Sequence, residues 1–445
     1  MISFDNKILS ESPHFNILLR NMNKILFVIF LSIITDTLSI RFALKRKPYV
    51  DDGTDGFSPM TLTLCLGTPP QCFNLAYDTG SYFIWVPDES LGSFYKNYFD
   101  PDNSATFLEE VIEVNSNETD GKIIGYEAVD TLSLNESNPH NRYFFNFVVA
   151  QSFYYSSINA DGNLGLARNY THPINSVSDD STIDRFSFLE MLYNLNIINQ
   201  NVFYHRYKDD QTGELIIGEK VKLESNEYMF KCKCVNRNDL PQRFNDFWNC
   251  KLDKMTLEGV ENALENNYAI FSSAEQYIIA PYRIGIRIME RYKNYDQDDC
   301  LISSQEDYQL ECKYFDFSSL PSLSFQFGDY KMEIPASQLF IKVKDGYVFA
   351  VKASSNYKFW IFGDIALRQQ AMVFDKDNDM IGFITTNQVP KSFYLTILLG
   401  IIGISFVLVF IFIGLSGYMR KREKRELEEK IIKSEIAIPI SDIVK

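Results

Sequence analysis

The pattern of apolar and polar positions from Phe57 to about Thr386 is that of short strands separated by turn residues. Helical spacing is confined to short stretches such as Phe186 to Leu195. This pattern predicts an all-β body with a few small helices. The clearest strand-like runs are Thr61 to Leu66, Phe73 to Tyr77, Tyr143 to Ala150, Glu214 to Ile217, Leu323 to Phe327 and Ala371 to Phe374.

One order of motifs occurs twice in the body. An apolar strand leads into Asp78-Thr79-Gly80, and Leu164-Gly165 follows later in the chain. A second apolar strand, Tyr268 to Phe271, leads into Ser272-Ser273-Ala274, and Phe362-Gly363 follows at almost the same spacing. The repeat predicts two lobes of similar length, each with a strand-turn element and a later glycine motif.

An uncharged apolar segment follows the body. Ser392 to Met419 spans 28 residues without a charge, which is long enough for a helix to cross the hydrocarbon core of a bilayer. Basic residues follow at once, from Arg420 to Arg425, as expected on the cytosolic side. We therefore expect a transmembrane helix at 392–419 and a cytosolic tail at 420–445. A buried core helix is the alternative.

A shorter apolar segment lies near the N-terminus. Ile25 to Ile34 is apolar with one serine, and small residues follow at Thr37 to Ser39. So short a run is typical of a secretory signal peptide, and residues 1–39 are interpreted as an N-terminal extension plus signal peptide. An uncleaved anchor is the alternative, and Met1 and Met22 are alternative starts.

Composition narrows the function classes. The 445 residues are 46% hydrophobic and carry a net charge of −15. The acidic excess argues against a nucleic-acid partner. We expect no metal and no organic cofactor, since no pattern typical of either is present.

Seven cysteines agree with an oxidising compartment. Cys65 and Cys72 flank the turn signal Leu-Gly-Thr-Pro-Pro-Gln, so two strands are expected to bring them face to face. Cys300 and Cys312 close a second local loop. Both pairs are predicted disulfides.

The other cysteines leave alternatives. Cys250 has two candidate partners, Cys232 and Cys234, and one thiol is left over. A zinc site at this pair is disfavoured, because one intervening residue is too few and no histidine is near. In the same compartment the acceptor sequons are expected to carry glycans, at Asn117, Asn135 and Asn169.

Several of these segments together resemble pepsin-like aspartic proteases. The resemblance implies the bilobal fold of that family, with an N-terminal lobe at 57–223 and a C-terminal lobe at 224–388. It is carried by Asp78-Thr79-Gly80-Ser81 with its apolar flanks, by Ala160 to Ala167, by Leu320 to Phe325, by Phe359 to Arg368, and by Val373 to Lys376 with Ile381 to Phe383.

The resemblance also implies a reaction. Two aspartates that lie a few ångströms apart share one proton; one activates water and the other protonates the peptide carbonyl. The first aspartate is retained as Asp78, with Thr79 supporting the geometry and Gly80 allowing the tight turn.

The second aspartate is missing. Ser272 stands where the family has aspartate, Ser273 keeps the supporting hydroxyl, and Ala274 replaces the glycine. A serine hydroxyl supplies no acidic proton near working pH. Glu275 is close in sequence, but its three-residue offset is expected to point it elsewhere.

The flap and the pro-segment also differ from the family pattern. Matching Gly121 to the flap hairpin puts Glu118 at the position of the family's flap tyrosine, and a glycan on the adjacent Asn117 would crowd the cleft. Residues 40–56 resemble a short pro-segment, of which only Ile40 to Arg46 matches the basic strand of the family's inhibitory propeptide.

These features predict a membrane-anchored homologue that is catalytically inactive or very weak. Its cleft between the lobes would bind a peptide or protein. An active aspartic endopeptidase in an acidic compartment or at the cell surface is the alternative, and a purely structural surface protein is a third. We expect a single-pass type I protein of the secretory or endolysosomal pathway or the cell surface, with a luminal or extracellular body.

Overall fold

The computed structural model describes residues 39–46, 58–92, 95, 97–117, 121–134, 142–155, 159–169, 187–295, 299–304, 307–313, 320–388 and 391–436. The chain divides into two units, Met1–Thr386 and Asn387–Lys445. In the first unit the described residues lie mostly in strands, and the all-β prediction is confirmed.

In chain order the strands are β1 (Ile40–Lys45), β2 (Thr61–Leu66), β3 (Gln71–Asp78), β4 (Ile84–Pro87), β5 (Leu108–Asn117), β6 (Gly121–Ser133), β7 (Arg142–Tyr155), β8 (Asn163–Gly165), β9 (Val202–Tyr207), β10 (Thr212–Ile217), β11 (Tyr228–Lys233), β12 (Asn249–Leu257), β13 (Val260–Phe271), β14 (Ile278–Pro281), β15 (Cys300–Ser304), β16 (Tyr308–Cys312), β17 (Leu323–Phe327), β18 (Tyr330–Ile334), β19 (Phe340–Val343), β20 (Gly346–Phe349), β21 (Val351–Ser354), β22 (Trp360–Phe362), β23 (Ala371–Asp375) and β24 (Met380–Thr385). The α-helices are α1 (Phe188–Asn194), α2 (Gln242–Asp246), α3 (Tyr282–Lys293), α4 (Ala336–Leu339), α5 (Asp364–Leu367) and α6 (Lys391–Ile436), and two short 3₁₀ turns lie at Glu89–Leu91 and Pro101–Asn103.

The described strands form two sheets. The first has thirteen strands in the order β11-β24-β23-β9-β10-β1-β2-β3-β8-β4-β7-β6-β5. The second has eleven, in the order β18-β17-β12-β13-β22-β14-β21-β16-β20-β19, with β15 paired to β16. Three strands from the later part of the body, β11, β23 and β24, lie in the first sheet, so one sheet joins the two lobes.

Local sequence explains these elements. Along β18 the side chains of Tyr330, Met332 and Ile334 are buried and the two residues between them are exposed, which is the two-residue period of a half-buried strand. Helix α1 begins after Ser187, whose hydroxyl accepts the Glu190 amide and so caps the first turn. All six predicted strand segments and this predicted helix are present.

Strand β1 comes from the segment that resembles a pro-segment. It pairs antiparallel with β10 along its whole length, from Ile40 opposite Ile217 to Lys45 opposite Thr212. Phe42 is buried in the main core. This strand is therefore an integral part of the thirteen-stranded sheet.

The second unit consists, in its described part, of helix α6. The stretch Ile404–Lys430 is long and apolar enough to cross a membrane, judged by length and composition. Helix α6 runs through the expected membrane segment and continues past the basic cluster to Ile436. The prediction of one C-terminal candidate membrane helix is confirmed.

Candidate active site

Two matched strand-turn elements build the site. Strand β3 ends at Asp78 and pairs in parallel with β8, which places Asp78 opposite Gly165. Strand β13 ends at Phe271 and pairs in parallel with β22, which places Phe271 opposite Phe362. The repeat seen in the sequence is thus a repeat of strand pairing. A side chain at Gly165 would collide with backbone atoms of the loop after Asp78, so the close approach requires glycine.

Reciprocal hydrogen bonds hold the two turns together. The Thr79 hydroxyl donates to the Phe271 carbonyl oxygen (2.7 Å) and accepts the Ser273 amide (3.1 Å). In the mirrored arrangement, the Ser273 hydroxyl donates to the Tyr77 carbonyl oxygen (2.8 Å) and accepts the Thr79 amide (3.1 Å). Because both hydroxyl groups are buried and fully used, the turns are held in a fixed relation. The structure therefore places the turn at residues 78–80 against the turn at residues 272–274.

These four hydrogen bonds form a clamp between the two turns, and the clamp places the Ser272 hydroxyl beside the Asp78 carboxylate. The Ser272 hydroxyl donates to Asp78 Oδ1 at 3.3 Å, and the Gly80 amide donates to the same oxygen at 2.7 Å. The Ala274 amide also donates to this carboxylate. Burial raises the pKa of Asp78 above its ordinary value, and the hydrogen bonds oppose that rise. Glu275 instead accepts the Tyr277 amide within its own loop.

Asn163 is a site residue that the sequence analysis missed. Its side-chain amide donates to Asp78 Oδ2 at 2.9 Å, and the residue is fully buried in β8. A signal was available in the repeat: counted back from the paired glycines, Gly165 and Gly363, Asn163 occupies the position of Ile361 in the second lobe. A polar residue at a position that is apolar in the other lobe indicates a polar contact that only the first lobe makes.

A buried polar cluster lies next to this site. The Tyr77 hydroxyl is 2.6 Å from the Tyr207 hydroxyl and 3.1 Å from His205 Nδ1. Burial lowers the pKa of His205 to about 4, so the imidazole is neutral at pH 7. Burial likewise raises the pKa of Tyr77 and of Tyr207 above their usual values. Tyr77 links the cluster to the site because it directly precedes Asp78.

A buried ion pair connects strand β1 to the closing segment. Arg46, directly after β1, donates to Asp364 Oδ1 at 2.7 Å. The Asp364 side chain is 1% exposed, and it begins helix α5 directly after the Phe362-Gly363 motif. Removing Arg46 would leave a buried carboxylate without its cation.

The flap region is a long hairpin of β5 and β6. Gly121 begins β6, whereas Glu118 and the hairpin tip lie outside the described residues.

Aromatic side chains pack on strands β4 and β7. Trp85 stacks on Phe153 with ring centroids 5.7 Å apart, and Tyr95 meets Trp85 edge-on at 6.5 Å. Strand β7 carries a bulge at Gln151, opposite Ile124 and Gly125 of β6, and a side chain at Gly125 would collide with the backbone of β7.

Three disulfides cross-link the body. The predicted bridges Cys65–Cys72 and Cys300–Cys312 are confirmed, and each joins directly opposed residues of two antiparallel strands. The partner of Cys250 is Cys232. Cys234 is the remaining thiol, and burial raises its pKa to about 11.

The sequons differ in what the structure describes. Asn169 is half-buried, and its side-chain amide donates to the Asn245 carbonyl oxygen at 3.1 Å. Asn117 ends β5, but its side chain lies outside the described set, as does all of Asn135. Glycosylation at the three positions stays a prediction.

The fold and the two clamped turns define a bilobal protein of the aspartic protease class. Residues 61–386 match the family model described as eukaryotic aspartyl protease. The chain belongs to that family. It is similar to Pepsin-3 of Oryctolagus cuniculus (24% identical over 330 residues) and to Pepsin A of Sus scrofa (26% over 332 residues); each alignment covers 72% of this chain and 79% of the relative.

Proposed function

We propose that this protein is a non-catalytic or very weakly catalytic member of its family, anchored in a membrane, that binds peptide or protein segments between its lobes. The observation that carries the proposal is the Ser272 hydroxyl at 3.3 Å from Asp78 Oδ1, at the position expected for a second carboxylate.

The chemistry supports an impaired reaction. Aspartic protease catalysis needs two carboxylates that share one proton, so that one accepts a proton from water while the other protonates the substrate carbonyl. Ser272 supplies a hydroxyl that stays protonated over the whole working range. Loss of an acid-base group costs at least roughly 10²–10⁴ in rate.

Binding needs less than catalysis does. The hydroxyl clamp between Thr79 and Ser273 is complete, so the two lobes keep the relation on which the family's peptide-binding cleft depends. Having serine rather than aspartate at position 272 changes only a side chain. It therefore removes no backbone donor or acceptor that a bound peptide strand would use. Peptide recognition is therefore expected to survive the loss of the acid.

The membrane assignment extends this proposal. Helix α6 would anchor the body, and the three disulfides favour an oxidising luminal or extracellular location. A cleaved signal peptide within residues 1–39 and the basic cluster after Met419 support a type I orientation.

The test compares the full chain in detergent with its Asp78→Asn variant, using a diverse peptide library from pH 3 to pH 7. We expect equal, background-level cleavage by both proteins. A pepstatin-type inhibitor or library peptides should nevertheless bind to the wild type with measurable affinity.

The other outcomes separate the alternatives. Inhibitor-sensitive cleavage that Asp78→Asn abolishes would establish an active endopeptidase instead. Absence of both cleavage and inhibitor or peptide binding would favour a structural surface protein.

A further inference from the structure

Protein donors bond to both oxygens of the Asp78 carboxylate. An ionised carboxylate offers roughly four acceptor positions. Oδ1 accepts the Gly80 amide and the Ser272 hydroxyl, and Oδ2 accepts Asn163 Nδ2. The Ala274 amide also favours the ionised form of this carboxylate. A water molecule that bonds to Oδ2 would therefore compete with the Asn163 amide.

Asn163 is the donor that the fold does not require. The bonds from Gly80 and Ala274 are made by backbone amides of the two turns and need no particular side chain. In the second lobe the matched position is filled by Ile361, which is buried like Asn163. An apolar side chain therefore suits this strand position.

The oxygen of the Asn163 side-chain amide shows that this residue lowers the stability of the fold. Its Oδ1 atom is buried and has no hydrogen-bond partner among the described residues. A buried unsatisfied oxygen is destabilising, and an apolar residue would avoid it. The one hydrogen bond recorded for the Asn163 side chain is the bond to Asp78, so that bond accounts for the presence of the amide.

We propose that Asn163 is a positioning residue that occupies Oδ2 of Asp78 and so competes with water for this oxygen of the carboxylate. This inference rests on the proposed non-catalytic function and deepens it. The site then departs from a working one in two independent ways: Ser272 removes the second acid, and Asn163 occupies an acceptor of the first.

The neighbours of Asp78 make the effect measurable. The groups that contact the carboxylate from both turns and from β8 are neutral: two backbone amides, the Ser272 hydroxyl and the Asn163 amide. Among the described residues, the ionisable Tyr77 directly precedes Asp78, and its hydroxyl contacts His205 and Tyr207. Changing Asn163 leaves that cluster in place.

The experiment follows the titration of Asp78 in the full chain in detergent, with ¹³C at the aspartate carboxyl carbons. The signal of Asp78 is identified by its disappearance in Asp78→Asn. Replacing Asn163 by Ile, as in the second lobe, should raise the titration midpoint of Asp78 by about one pH unit, a tenfold change in proton affinity. Asn163→Ala is the second variant, in case isoleucine disturbs the packing.

A matched control exists on another strand. Asn146 in β7 donates to the buried Glu127 carboxylate, so Asn146→Leu breaks the same kind of contact away from the site. It should leave the midpoint of Asp78 unchanged. A folded Asn163 variant with the wild-type midpoint would overturn the proposal. Cleavage of peptides by the wild type would count against the proposed function alone, because the midpoint is measured without substrate.

Discussion

At the scale of single residues, the two lobes differ in polarity at matched positions. Asn163 and Tyr77 in the first lobe correspond to Ile361 and Phe271 in the second. Both first-lobe residues use their polar atoms: Asn163 contacts Asp78, and Tyr77 contacts His205 and Tyr207. The first lobe therefore carries most of the buried polar chemistry near the site.

His205 should make the body less stable in acid. Burial lowers its pKa to about 4, against 6.5 when unfolded. Between these values the unfolded chain binds more protons, so the free energy of unfolding falls as pH falls from about 6.5 to about 4. The loss is roughly 3 kcal/mol over that range. Thermal unfolding of the full chain and of His205→Gln, measured at several pH values, checks this.

The comparison with His205→Gln isolates one group, because carboxylates such as Asp78 titrate in both proteins. The variant should show a smaller loss of melting temperature on acidification. Tyr77→Phe removes the hydroxyl but keeps the imidazole, so its pH dependence should resemble that of the wild type. Parallel curves for wild type and His205→Gln would show that His205 does not titrate as described.

At the scale of elements, β1 is anchored at several points along its length. Six residue pairs join it to β10, Phe42 and Leu44 enter the core, and Arg46 pairs with the buried Asp364. Its departure would open an edge in the middle of a sheet and expose apolar side chains. We therefore expect this strand to stay in the protein rather than be removed as a pro-segment.

Arg46→Ala should lower the free energy of unfolding by about 3 kcal/mol, because it leaves the Asp364 carboxylate buried without its partner. The neighbouring Lys45 is exposed, and Lys45→Ala should change it by less than about 0.5 kcal/mol. Chemical denaturation of the two variants in the full chain measures the difference. Equal effects would mean that the ion pair does not anchor β1.

At the scale of the whole molecule, the body and helix α6 are separate units whose apolar residues differ in exposure. The body buries its apolar residues in its own core, whereas the described part of α6 exposes Phe406, Phe410 and Phe412. An isolated helix with such a surface is stable only when something apolar surrounds it. A bilayer is the surrounding that its length suits.

Protease added to intact cells should digest the body and protect the membrane segment and the tail beyond Arg420. This result is expected because the basic cluster after Met419 favours the cytosolic side. Immunoblots with an antibody against the body and with one against a C-terminal tag measure it, with detergent-permeabilised cells as the control. A protected body with a digested tail would reverse the orientation and remove the basis for the predicted glycans.

The sequence by itself determined the strands, the repeat, the two local disulfides and the missing aspartate. Each of these depends on residues close together in the chain: alternation within a strand, cysteines across one turn, or residue identity at Ser272. Such patterns can be read from the sequence because the alternation of side chains along a strand and the residue preferences of turns depend on neighbouring residues.

Only the tertiary structure decided which distant residues meet. The bridge from Cys232 to Cys250 joins strands of different sheets, and the pair Arg46–Asp364 joins residues that follow β1 and β22, which also lie in different sheets. The contact of Asn163 with Asp78 follows from the pairing of β3 with β8. Tertiary packing brings together residues up to 318 positions apart in the chain, as for that ion pair. The interactions that hold them act through space, so the local sequence does not specify which distant residue each one contacts.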